Sequence, residues 1–335
     1  MENRNTLVTG ATGLIGHSVV RALAKNGETT TILVRTQAKA ERWLGDCNAT
    51  LLNGDLTDPA TLEPALDGVD VVYHAAGIPE QWLPDSRLFH QVNVKGTANL
   101  IEAALNAGVK RFVYTSTIDV FAAQKGDLYD ETMLDPKAKG TVYEQSKQDA
   151  DRLVVQALEK RGLPAIFVHP AAVYGPGPTD SPGINDLVIK LRAKQVPLLL
   201  PGGMPLVYSE DLGRGQVLAA EKGAVGDRFI FSESYYTLKE IAQAAYRVFD
   251  MDLEKTPPMM PLWLGKLIAV TGEGVSAFTK KAPLVPRGQL HFMQWGAVPI
   301  NTKAKEQLGW QPRNLEEGMA QTIQWLREEN LLQGA

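Results

Sequence analysis

Residues 9–16 read TGATGLIG, and this stretch decides the fold that the rest of the chain must satisfy. It spaces Gly10, Gly13 and Gly16 three residues apart, between a short apolar run and residues 14–27, whose apolar positions have helical spacing. Between a strand and a helix, such glycines permit a tight turn, close approach of a pyrophosphate and close packing of the helix on the strand. The N–H groups that begin the helix then contact phosphate. The stretch predicts a dinucleotide-binding turn, and the alternative is a glycine-rich turn without a ligand.

Short apolar segments and helical segments alternate through the first half of the chain. Further strands are predicted at TTTILVR, ATLLNGD, VDVVYHAAG, KRFVYTS and LPAIFVHP, and helical patterns separate them. This alternation is typical of parallel strands with helices on both faces of the sheet. After Pro170 the sequence becomes rich in proline and glycine and mixes helices with short strands. We therefore predict an α/β fold, a Rossmann-type doubly wound parallel sheet with a smaller mixed α/β C-terminal lobe.

The predicted domain boundaries follow from this change of pattern. We expect residues 1–173 to form the dinucleotide-binding domain, with a returning segment near residues 207–235. Residues 174–206 and 236–335 are expected to form the substrate-binding lobe. Within the first domain, DPATLEPALDG is predicted to be a helix with Asp58 as its N-cap.

Composition and charge narrow the function classes. The net charge of −4 is spread along the chain without a Lys/Arg block, so we expect no nucleic-acid partner. Cys47 is the single cysteine, which excludes an internal disulfide and fits a reducing cytoplasm. The N-terminal residues have no signal-peptide pattern, and the longest apolar stretch is shorter than the roughly 20 residues of a spanning helix. We therefore expect a cytoplasmic protein with no membrane span and no metal site.

Residues at the predicted strand ends indicate which dinucleotide binds. The second strand ends in LVRTQ, which offers Arg35 and no acid, so we expect NADP in preference to NAD. The alternative is that Arg35 only covers the adenine or ends the strand. After the third strand, the Asp55 carboxylate can accept from the adenine amino group while the Leu56 N–H faces the ring. The alternative is that Asp55 only caps the next turn.

The fourth predicted strand ends in HAAG. Ala75, Ala76 and Gly77 are small, which suits close approach of a dinucleotide. His74, directly before them, is predicted to be a packed strand residue. The other positions of the glycine loop that we assign to the cofactor are Thr12, Leu14 and Ile15.

VYEQSK places Tyr143 and Lys147 four residues apart, on one face of a predicted helix. An ammonium group near a phenol favours the phenolate, so Lys147 is expected to lower the pKa of Tyr143 from about 10. A tyrosine of lowered pKa can exchange a proton with a substrate hydroxyl or carbonyl. YTSTIDVF (114–121) ends the fifth strand in the same crevice, where the hydroxyl of Ser116 or Thr117 can hold the substrate oxygen.

Seven motifs in this order resemble those of the extended short-chain dehydrogenases/reductases, which include the NAD-dependent epimerases and dehydratases: TGATGLIG, GDLTDP, HAAG, NVKGT, YTSTIDVF, YEQSK and VYGPG. YTSTIDV is also similar to the 3β-hydroxysteroid dehydrogenase and dihydroflavonol-reductase-like branches. The resemblance implies that Thr117 stands where those branches have a catalytic serine, and that Lys147 also bonds the nicotinamide ribose. It further implies that Pro170 and Val173 line the nicotinamide and that the protein is a homodimer.

These residues together predict reversible hydride transfer between a nicotinamide and a ketone or secondary alcohol. Tyr143 is the expected general acid/base, and Thr117, favoured over Ser116, is the expected anchor of the substrate oxygen. Asn93 lies in the middle of a predicted helix, and for it a structural role is expected at least as much as a catalytic one. Asp119 is predicted to be a turn or surface residue.

A set of apolar residues favours a hydrophobic sterol-, terpenoid- or flavonoid-like substrate, although core packing explains each member on its own. The set is Trp82, Met259, Met260, Trp263, Phe292 and Met293. The alternative function is a nucleotide-sugar epimerase or dehydratase, for which Arg192, Arg214 and Arg287 are available to clamp a diphosphate. A third hypothesis is a non-catalytic dinucleotide sensor, against which the intact pair of Tyr143 and Lys147 argues.

Overall fold

The computed structural model describes residues 4–178 and 183–332. Its strands are β1 (Thr6–Thr9), β2 (Thr30–Val34), β3 (Ala49–Asn53), β4 (Val71–His74), β5 (Arg111–Thr115), β6 (Leu128–Tyr129), β7 (Ala165–Pro170), β8 (Ala172–Tyr174), β9 (Gly203–Tyr208), β10 (Arg228–Phe231), β11 (Ser234–Thr237) and β12 (Val298–Pro299). Its helices are α1 (Leu14–Lys25), α2 (Gln37–Leu44), α3 (Arg87–Phe89), α4 (Thr97–Ala107), α5 (Val142–Arg161), α6 (Ile184–Arg192), α7 (Ser209–Lys222), α8 (Leu238–Val248), α9 (Leu262–Thr279), α10 (Arg287–Trp295), α11 (Thr302–Leu308) and α12 (Leu315–Glu328). A π-helical turn, His90–Gly96, joins α3 to α4.

Seven of these strands form one parallel sheet in the order β3-β2-β1-β4-β5-β7-β10. β1 pairs with β2 on one side and with β4 on the other, so Thr9 lies opposite both Leu33 and His74. The strand order reverses between β1 and β4. In sheets of this kind, ligands bind in the crevice at such a reversal, beyond the carboxyl ends of the strands. The predicted doubly wound parallel sheet is confirmed.

The apolar side chains of this sheet are buried on both of its faces. Leu7 and Val8 are consecutive in β1 and belong to different buried clusters, because successive side chains of a strand point to opposite faces. The same holds for Phe112 and Val113 of β5. Burying one such side chain contributes about 1.5–3 kcal/mol. The central strands therefore carry near-continuous apolar runs rather than alternating ones.

The second lobe is built on a three-stranded sheet in the order β8-β9-β11. In it, β9 is parallel to β8 and antiparallel to β11. Residues of α6, α8 and α12 pack with this sheet in a third apolar cluster. The smaller mixed lobe predicted after Pro170 is therefore confirmed.

Between the two parts of the second lobe, the chain returns to the first. α7 packs so closely on α1 that a Cβ at Gly213 would overlap the carbonyl oxygen of Ser18. β10 then adds the last strand to the main sheet. The predicted start of the returning segment, residue 207, lies inside β9 of the small sheet. The division into two domains stays a prediction.

One predicted helix is wrong. DPATLEPALDG forms two short 3-10 turns, Pro59–Thr61 and Pro64–Leu66. Asp58 caps the first turn, as predicted, by accepting from the Ala60 N–H at 3.2 Å. The proline at position 64 has no N–H and its ring clashes with the preceding turn, so the helix cannot continue through it.

Two further properties concern the described residues as a whole. None of their helices is long and apolar enough to cross a membrane. They also contain no group of three or more His, Cys, Asp or Glu side chains that could hold a metal ion. Cys47 is a free, half-buried thiol, and burial raises its pKa.

Candidate active site

The glycine loop joins β1 to α1 where the strand order reverses. Gly10 has φ +74°, a left-handed conformation, and a Cβ there would lie 2.6 Å from the Cα of Ala76, just beyond β4. A Cβ on Gly16 would overlap the carbonyl oxygen of Gly10. A side chain at either position would therefore push the two strands and the helix apart.

Gly13 differs from these two glycines because it is exposed, and a Cβ there would meet only the Gly10 carbonyl oxygen, at 3.4 Å. It is the N-cap of α1, it supplies no capping side chain, and the first turn of α1 carries no acid. The first N–H groups of a helix have no partner within it and favour an anion. This open backbone cradle fits the diphosphate of a dinucleotide. The loop residues that lie half-buried around it are Thr12, Leu14 and Ile15.

The stretch after β4 connects the glycine loop to α5. The Ala75 N–H donates to the carbonyl of Thr9, the last residue of β1, at 3.2 Å. Gly77 is exposed, and a Cβ there would lie 3.2 Å from the Asn93 Oδ1 atom and 4.0 Å from the Lys147 Nζ atom. The small residues predicted to contact the dinucleotide thus lie between the loop and the predicted catalytic lysine.

Arg35 and Asp55 follow neighbouring strands at one edge of the sheet. Arg35 is exposed directly after β2. The Asp55 Oδ1 atom accepts from the N–H and the hydroxyl of Thr57, both at 2.8 Å, so this carboxylate caps its own turn. Partial burial opposes ionisation of Asp55, but these hydrogen bonds and the charge of Arg35 hold its pKa below the ordinary value. Leu56 is buried, and its carbonyl accepts from Asn99 at 2.8 Å.

α5 carries the predicted acid–base pair near its start. The helix begins with a capping box, in which the side chains of Thr141 and Glu144 accept from each other's backbone N–H groups. This fixes the first turn, where Tyr143 lies. Tyr143 is buried and meets Phe89 edge-on, with the ring centroids 6.2 Å apart.

Lys147 lies one turn beyond Tyr143 and is also buried. Its Nζ atom donates to the carbonyl of Thr115, the last residue of β5, at 2.9 Å, and lies 5.3 Å from the centroid of the Tyr114 ring. Burial lowers the pKa of Lys147 to about 8, against the opposing charges of Asp151 and Asp119. The ammonium form therefore dominates at neutral pH.

The two candidate hydroxyls at the end of β5 have different partners. The Ser116 hydroxyl donates to the Asp151 Oδ2 atom at 2.7 Å. The Thr117 hydroxyl donates to the Asp119 Oδ2 atom at 3.2 Å, and the Thr117 side chain is close enough to the Tyr143 phenol to lower its pKa. Of the two hydroxyls, the structure brings that of Thr117 to Tyr143.

The predicted direction of the Tyr143 pKa is wrong for this structure. The pKa is raised, first because the side chain is buried and next because the Asp119 carboxylate lies nearby. The hydrogen bond with Thr117 lowers it, without offsetting these effects. Tyr143 therefore keeps its proton at neutral pH and is arranged as a proton donor.

Asp119 is the residue that the sequence analysis misjudged. It lies in a short 3-10 turn, Ile118–Val120, but it is buried rather than on the surface. Burial, and after it the charge of Glu144, raise its pKa to about 7. The sequence indication of its burial is its position between Ile118 and Val120, two apolar residues that the structure buries. A carboxyl that titrates near neutrality thus lies against the Thr117 hydroxyl.

A buried ion pair behind Ser116 was also missed. Arg228 donates to both carboxylate oxygens of Asp151, at 2.8 and 3.1 Å. It also donates to the His169 Nε2 atom at 3.0 Å. Burial and the charge of Arg228 lower the pKa of His169 to about 3, so the ring is neutral and its Nδ1–H donates to the Thr117 carbonyl at 3.1 Å. These contacts fix the backbone that carries both hydroxyls.

Asn93 and His74 are held by hydrogen bonds within the protein. The Asn93 Oδ1 atom accepts from the Ile78 N–H at 2.7 Å, and its Nδ2 donates to the Ser146 hydroxyl at 2.9 Å. Both ring nitrogens of His74 bond threonine hydroxyls, at 2.8 and 2.9 Å. Burial lowers the pKa of His74 to about 3. These contacts fit the structural roles considered for both residues.

Pro170 and Val173, the residues expected to line the nicotinamide, lie on different sheets. Pro170 is buried at the end of β7, and Val173 is half-buried within β8. Only Ala171 separates the two strands, and its N–H donates to the carbonyl of Phe231 at 2.9 Å. The chain thus crosses from the main sheet to the small sheet between these two residues.

The six apolar residues considered for a substrate pocket have three different environments. Met260 and Met293 are buried, Trp82 and Phe292 are half-buried, and Met259 and Trp263 are exposed. Met293 belongs to the core of the second lobe. For Met293, core packing is the better interpretation, and Trp263 is 67% exposed.

The start of α10 is the part of the second lobe that reaches the catalytic helix. A Cβ on Gly288 would lie 2.7 Å from the Gln81 Oε1 atom and 3.2 Å from the Thr141 Cγ2 atom. Gln81 belongs to the loop after β4, and Thr141 is the N-cap of α5. The start of α10 therefore lies beside the first turn of α5, the turn that carries Tyr143.

The three arginines considered for a diphosphate clamp have separate partners. The Arg192 guanidinium lies 5.5 Å from the centroid of the Phe249 ring. Arg214 donates to a backbone carbonyl of the chain before α12. Arg287 pairs with Glu273 at 3.1 Å. These contacts do not bring the three side chains to one site.

Three comparisons with known proteins extend these observations. Residues 6–231 match the family model described as the NAD dependent epimerase/dehydratase family. The chain is 27% identical over 331 residues to the sterol demethylase protein B of Methylococcus capsulatus, which covers 98% of this chain and 99% of that protein. It is 30% identical over 232 residues to the 4-hydroxy-2-methyl-3-oxo-4-farnesyl-3,4-dihydroquinoline-1-oxide ketoreductase of Stigmatella aurantiaca, 68% of each chain. The crystal structure of gox2253 is 30% identical, has a TM-score of 0.83 and covers 98% of this chain and 99% of its own.

Proposed function

We propose a specific reaction for this chain, which belongs to the NAD-dependent epimerase/dehydratase family. In this proposal, it is an NAD(P)-dependent oxidoreductase that interconverts a ketone and a secondary alcohol. The proposed substrate is hydrophobic, of sterol, terpenoid or flavonoid type. The observation that carries the proposal is the contact between the side chains of Thr117 and Tyr143 at the end of β5, one helical turn from Lys147. The names of two relatives, a sterol demethylase protein and a farnesyl ketoreductase, support the substrate class.

The proposed cofactor site runs along the carboxyl ends of β1, β2, β4 and β7. The glycine loop would hold the diphosphate, Lys147 would bond the nicotinamide ribose, and Pro170 and Val173 would line the nicotinamide. When bound, the nicotinamide dinucleotide supplies or takes the hydride that the substrate carbon exchanges.

Tyr143 is the proposed general acid for reduction of a carbonyl. Because burial raises its pKa, Tyr143 holds a proton that it can give to the carbonyl oxygen as that oxygen becomes an alcohol. When Asp119 is protonated and donates to Thr117, the Thr117 hydroxyl is free to donate a hydrogen bond to the same oxygen. The positive charge of Lys147 then stabilises the negative charge left on Tyr143. In the oxidative direction, Tyr143 takes the proton back.

We also propose NADP as the preferred cofactor. Arg35 is exposed at the end of β2, and the pairing of Leu33 with Thr9 puts it at the same edge of the sheet as the glycine loop. A guanidinium there suits a ribose 2′-phosphate. Titrations with NADPH and NADH should show tighter binding of NADPH, and Arg35→Ala should reduce that preference by about tenfold, a change of about 1.4 kcal/mol. Tighter binding of NADH by the unmodified protein would contradict this choice.

The reaction class is tested with a panel of hydrophobic ketones, secondary alcohols and nucleotide sugars. An oxidoreductase changes the net amount of NADPH as product forms, so we expect a net change with a hydrophobic ketone or alcohol. An epimerase recycles its cofactor and forms product without net change. Tight dinucleotide binding with no product from any compound would instead support the sensor hypothesis.

One observation favours the alternative, a nucleotide-sugar epimerase or dehydratase. Asp119 is a third proton-holding group beside Thr117 and Tyr143, and removal of water from a sugar needs more proton transfers than alcohol oxidation. The separate partners of Arg192, Arg214 and Arg287 weigh against a clamp for a nucleotide diphosphate. The panel separates the two functions, because only the alternative predicts turnover of a nucleotide sugar.

A further inference from the structure

One side of α9 exposes large apolar side chains to solvent. We call this side the α9 apolar face, and its members are Trp263, Leu267, Val270, Val275 and Phe278. They are between 51% and 91% exposed. At about 3.6 residues per turn, their positions fall on one half of the helix circumference. The opposite side, with Gly265, Ala269 and Ser276, is buried.

The α9 apolar face is not part of the core of the protein. α9 attaches through its buried side to a small apolar cluster that contains Ala269, Val285 and Leu290 of α10. Leu284, in the loop between the two helices, is 85% exposed and adds to the apolar surface. Contiguous apolar surface of this kind marks a site of interaction rather than of folding.

Three polar side chains of α9 have partners within the protein. The Thr271 hydroxyl donates to the Leu267 carbonyl at 2.8 Å, and the Thr279 hydroxyl donates to the Val275 carbonyl at 3.1 Å. Glu273 is the one acid in the sequence of α9, and it pairs with Arg287 at 3.1 Å. Thr271, Thr279 and Glu273 therefore add no unsatisfied side-chain group to the α9 apolar face.

Basic residues flank the α9 apolar face. Lys266 is exposed within α9, and the exposed pair Lys280 and Lys281 follows its end. The sequence has no Asp or Glu from residue 274 to residue 305. Asp85 lies close enough to Lys280 to interact with its charge, and the pKa of Asp85 is lowered first by hydrogen bonds with Arg87 and last by Lys280. The surroundings of the face thus favour a negatively charged partner.

This position also relates the face to the active site. Asp85 belongs to the loop after β4. α10, against which α9 packs, contacts the same loop and the start of α5. A partner on the α9 apolar face would therefore lie beside the entrance to the site of Tyr143.

We propose that the α9 apolar face docks on the surface of an anionic lipid bilayer. The aromatic and aliphatic side chains enter the boundary between headgroups and acyl chains, and Lys266, Lys280 and Lys281 contact lipid phosphates. The helix lies in the surface and does not span it. The benefit to catalysis rests on the proposed function, because a hydrophobic ketone or alcohol dissolved in the bilayer would reach the entrance directly.

A second copy of the chain fits this face less well. In a symmetric dimer the same patch meets itself. Lys266, Lys280 and Lys281 would then approach lysines of the other copy, and Glu273, the one acid in the sequence of α9, is already paired with Arg287. Charge therefore favours lipid phosphate over self-association here, and the homodimer implied by the family resemblance would use other surfaces.

The test is co-sedimentation of the full chain with vesicles, without substrate. We expect binding to phosphatidylcholine vesicles that contain phosphatidylglycerol, about tenfold weaker binding to phosphatidylcholine alone, and weakening by salt. The triple variant Trp263→Gln, Leu267→Gln and Phe278→Gln should bind at least about tenfold more weakly. Lys280→Glu with Lys281→Glu should lose the preference for phosphatidylglycerol.

The matched control replaces exposed apolar residues elsewhere by glutamine: Leu128, Val225 and Leu253. It should bind vesicles as the unmodified chain does, and thermal unfolding and dinucleotide titration of every variant establish that each is folded. Absence of vesicle binding by the unmodified chain, or equal binding by the α9 triple variant, would overturn the proposal. Conversion of a dimer to a monomer by the α9 triple variant, without vesicle binding by the unmodified chain, would assign the face to a second copy instead. Because no turnover is measured, failure of the proposed reaction leaves this test unaffected.

Discussion

Two adjacent hydroxyl residues at the end of β5 have opposite surroundings. Ser116 donates to Asp151, and Arg228 donates to both carboxylate oxygens of Asp151. Thr117 donates to Asp119, which lies near the charges of Lys139 and Lys147 without being neutralised by them. Both carboxyls are buried, but their pKa values move in opposite directions.

The cause is the presence or absence of a close cation. Burial opposes ionisation of Asp151, but the charge of Arg228 and the hydrogen bonds of Arg228 and Ser116 hold its pKa below the ordinary value. Burial raises the pKa of Asp119 to about 7. A paired buried carboxyl keeps a fixed charge and supports the fold, whereas an unpaired one titrates and is suited to chemistry. We therefore assign the Ser116 side to support and the Thr117 side to reaction.

Removal of the phenol hydroxyl on the reactive side should abolish most turnover. General acid–base groups contribute about 10²- to 10⁴-fold, so Tyr143→Phe should lower kcat by about 10³-fold and leave dinucleotide affinity unchanged. Steady-state kinetics and a dinucleotide titration measure the two quantities. Tyr174→Phe, which alters another buried tyrosine, is the control and should keep kcat. Turnover by Tyr143→Phe within a few fold of the unmodified enzyme would refute the assignment.

Removal of the cation on the supporting side should reduce stability. Arg228→Leu leaves Asp151 buried and unpaired, and breaking a buried pair in this way costs about 3–5 kcal/mol. Arg161→Leu is the control, because both side chains of its pair with Glu102 are half-exposed and the loss should cost less than about 1 kcal/mol. Urea unfolding of the three proteins measures both. Equal stability of the two variants would show that the buried pair does not support this region.

Neutralisation of the unpaired carboxyl should change the pH dependence of stability. Because the pKa of Asp119 is raised in the folded state, its contribution to stability is complete below pH 4 and is lost as pH rises through about 7. Asp119→Asn removes this loss, so the variant should gain about 4 kcal/mol relative to the unmodified protein between pH 4 and pH 8. Thermal unfolding across this range measures the difference. A difference that is independent of pH would contradict the raised pKa.

The Asp119→Asn variant should also change the pH dependence of catalysis. The Asp119 carboxylate raises the pKa of Tyr143. With the charge removed, the pH profile for alcohol oxidation should move to lower pH, because Tyr143 then accepts a proton as phenolate at lower pH. A movement to higher pH would mean that Asp119 acts on another group.

Much of the fold follows from local sequence patterns. Apolar runs that end in glycine or small residues predict the parallel strands, and Gly10 and Gly16 have the close backbone contacts that a strand–turn–helix unit requires. The helix predicted at residues 58–68 is wrong because Pro64 interrupts the hydrogen-bonding ladder, although Asp58 and Pro59 are a typical helix start.

The candidate site was less predictable because its electrostatics depend on contacts between distant residues. Asp151 and Arg228 are 77 positions apart, and β10 brings Arg228 to α5 only after the chain has passed through the second lobe. The four-residue spacing of Tyr143 and Lys147 predicted their proximity but not the burial that raises the pKa of Tyr143. Trp263 of α9 was among the six residues considered for an apolar pocket, whereas the structure leaves it largely exposed to solvent.

The assignment of the two hydroxyls can be measured with a matched pair of variants. Ser116→Ala and Thr117→Val each remove one hydroxyl from adjacent residues of one chain. Thr117→Val should lower kcat by about 30-fold, or about 2 kcal/mol, at unchanged dinucleotide affinity, whereas Ser116→Ala should keep kcat within about threefold and lose about 1 kcal/mol of stability. If Ser116→Ala loses turnover and Thr117→Val keeps it, the reactive side has been assigned to the wrong hydroxyl.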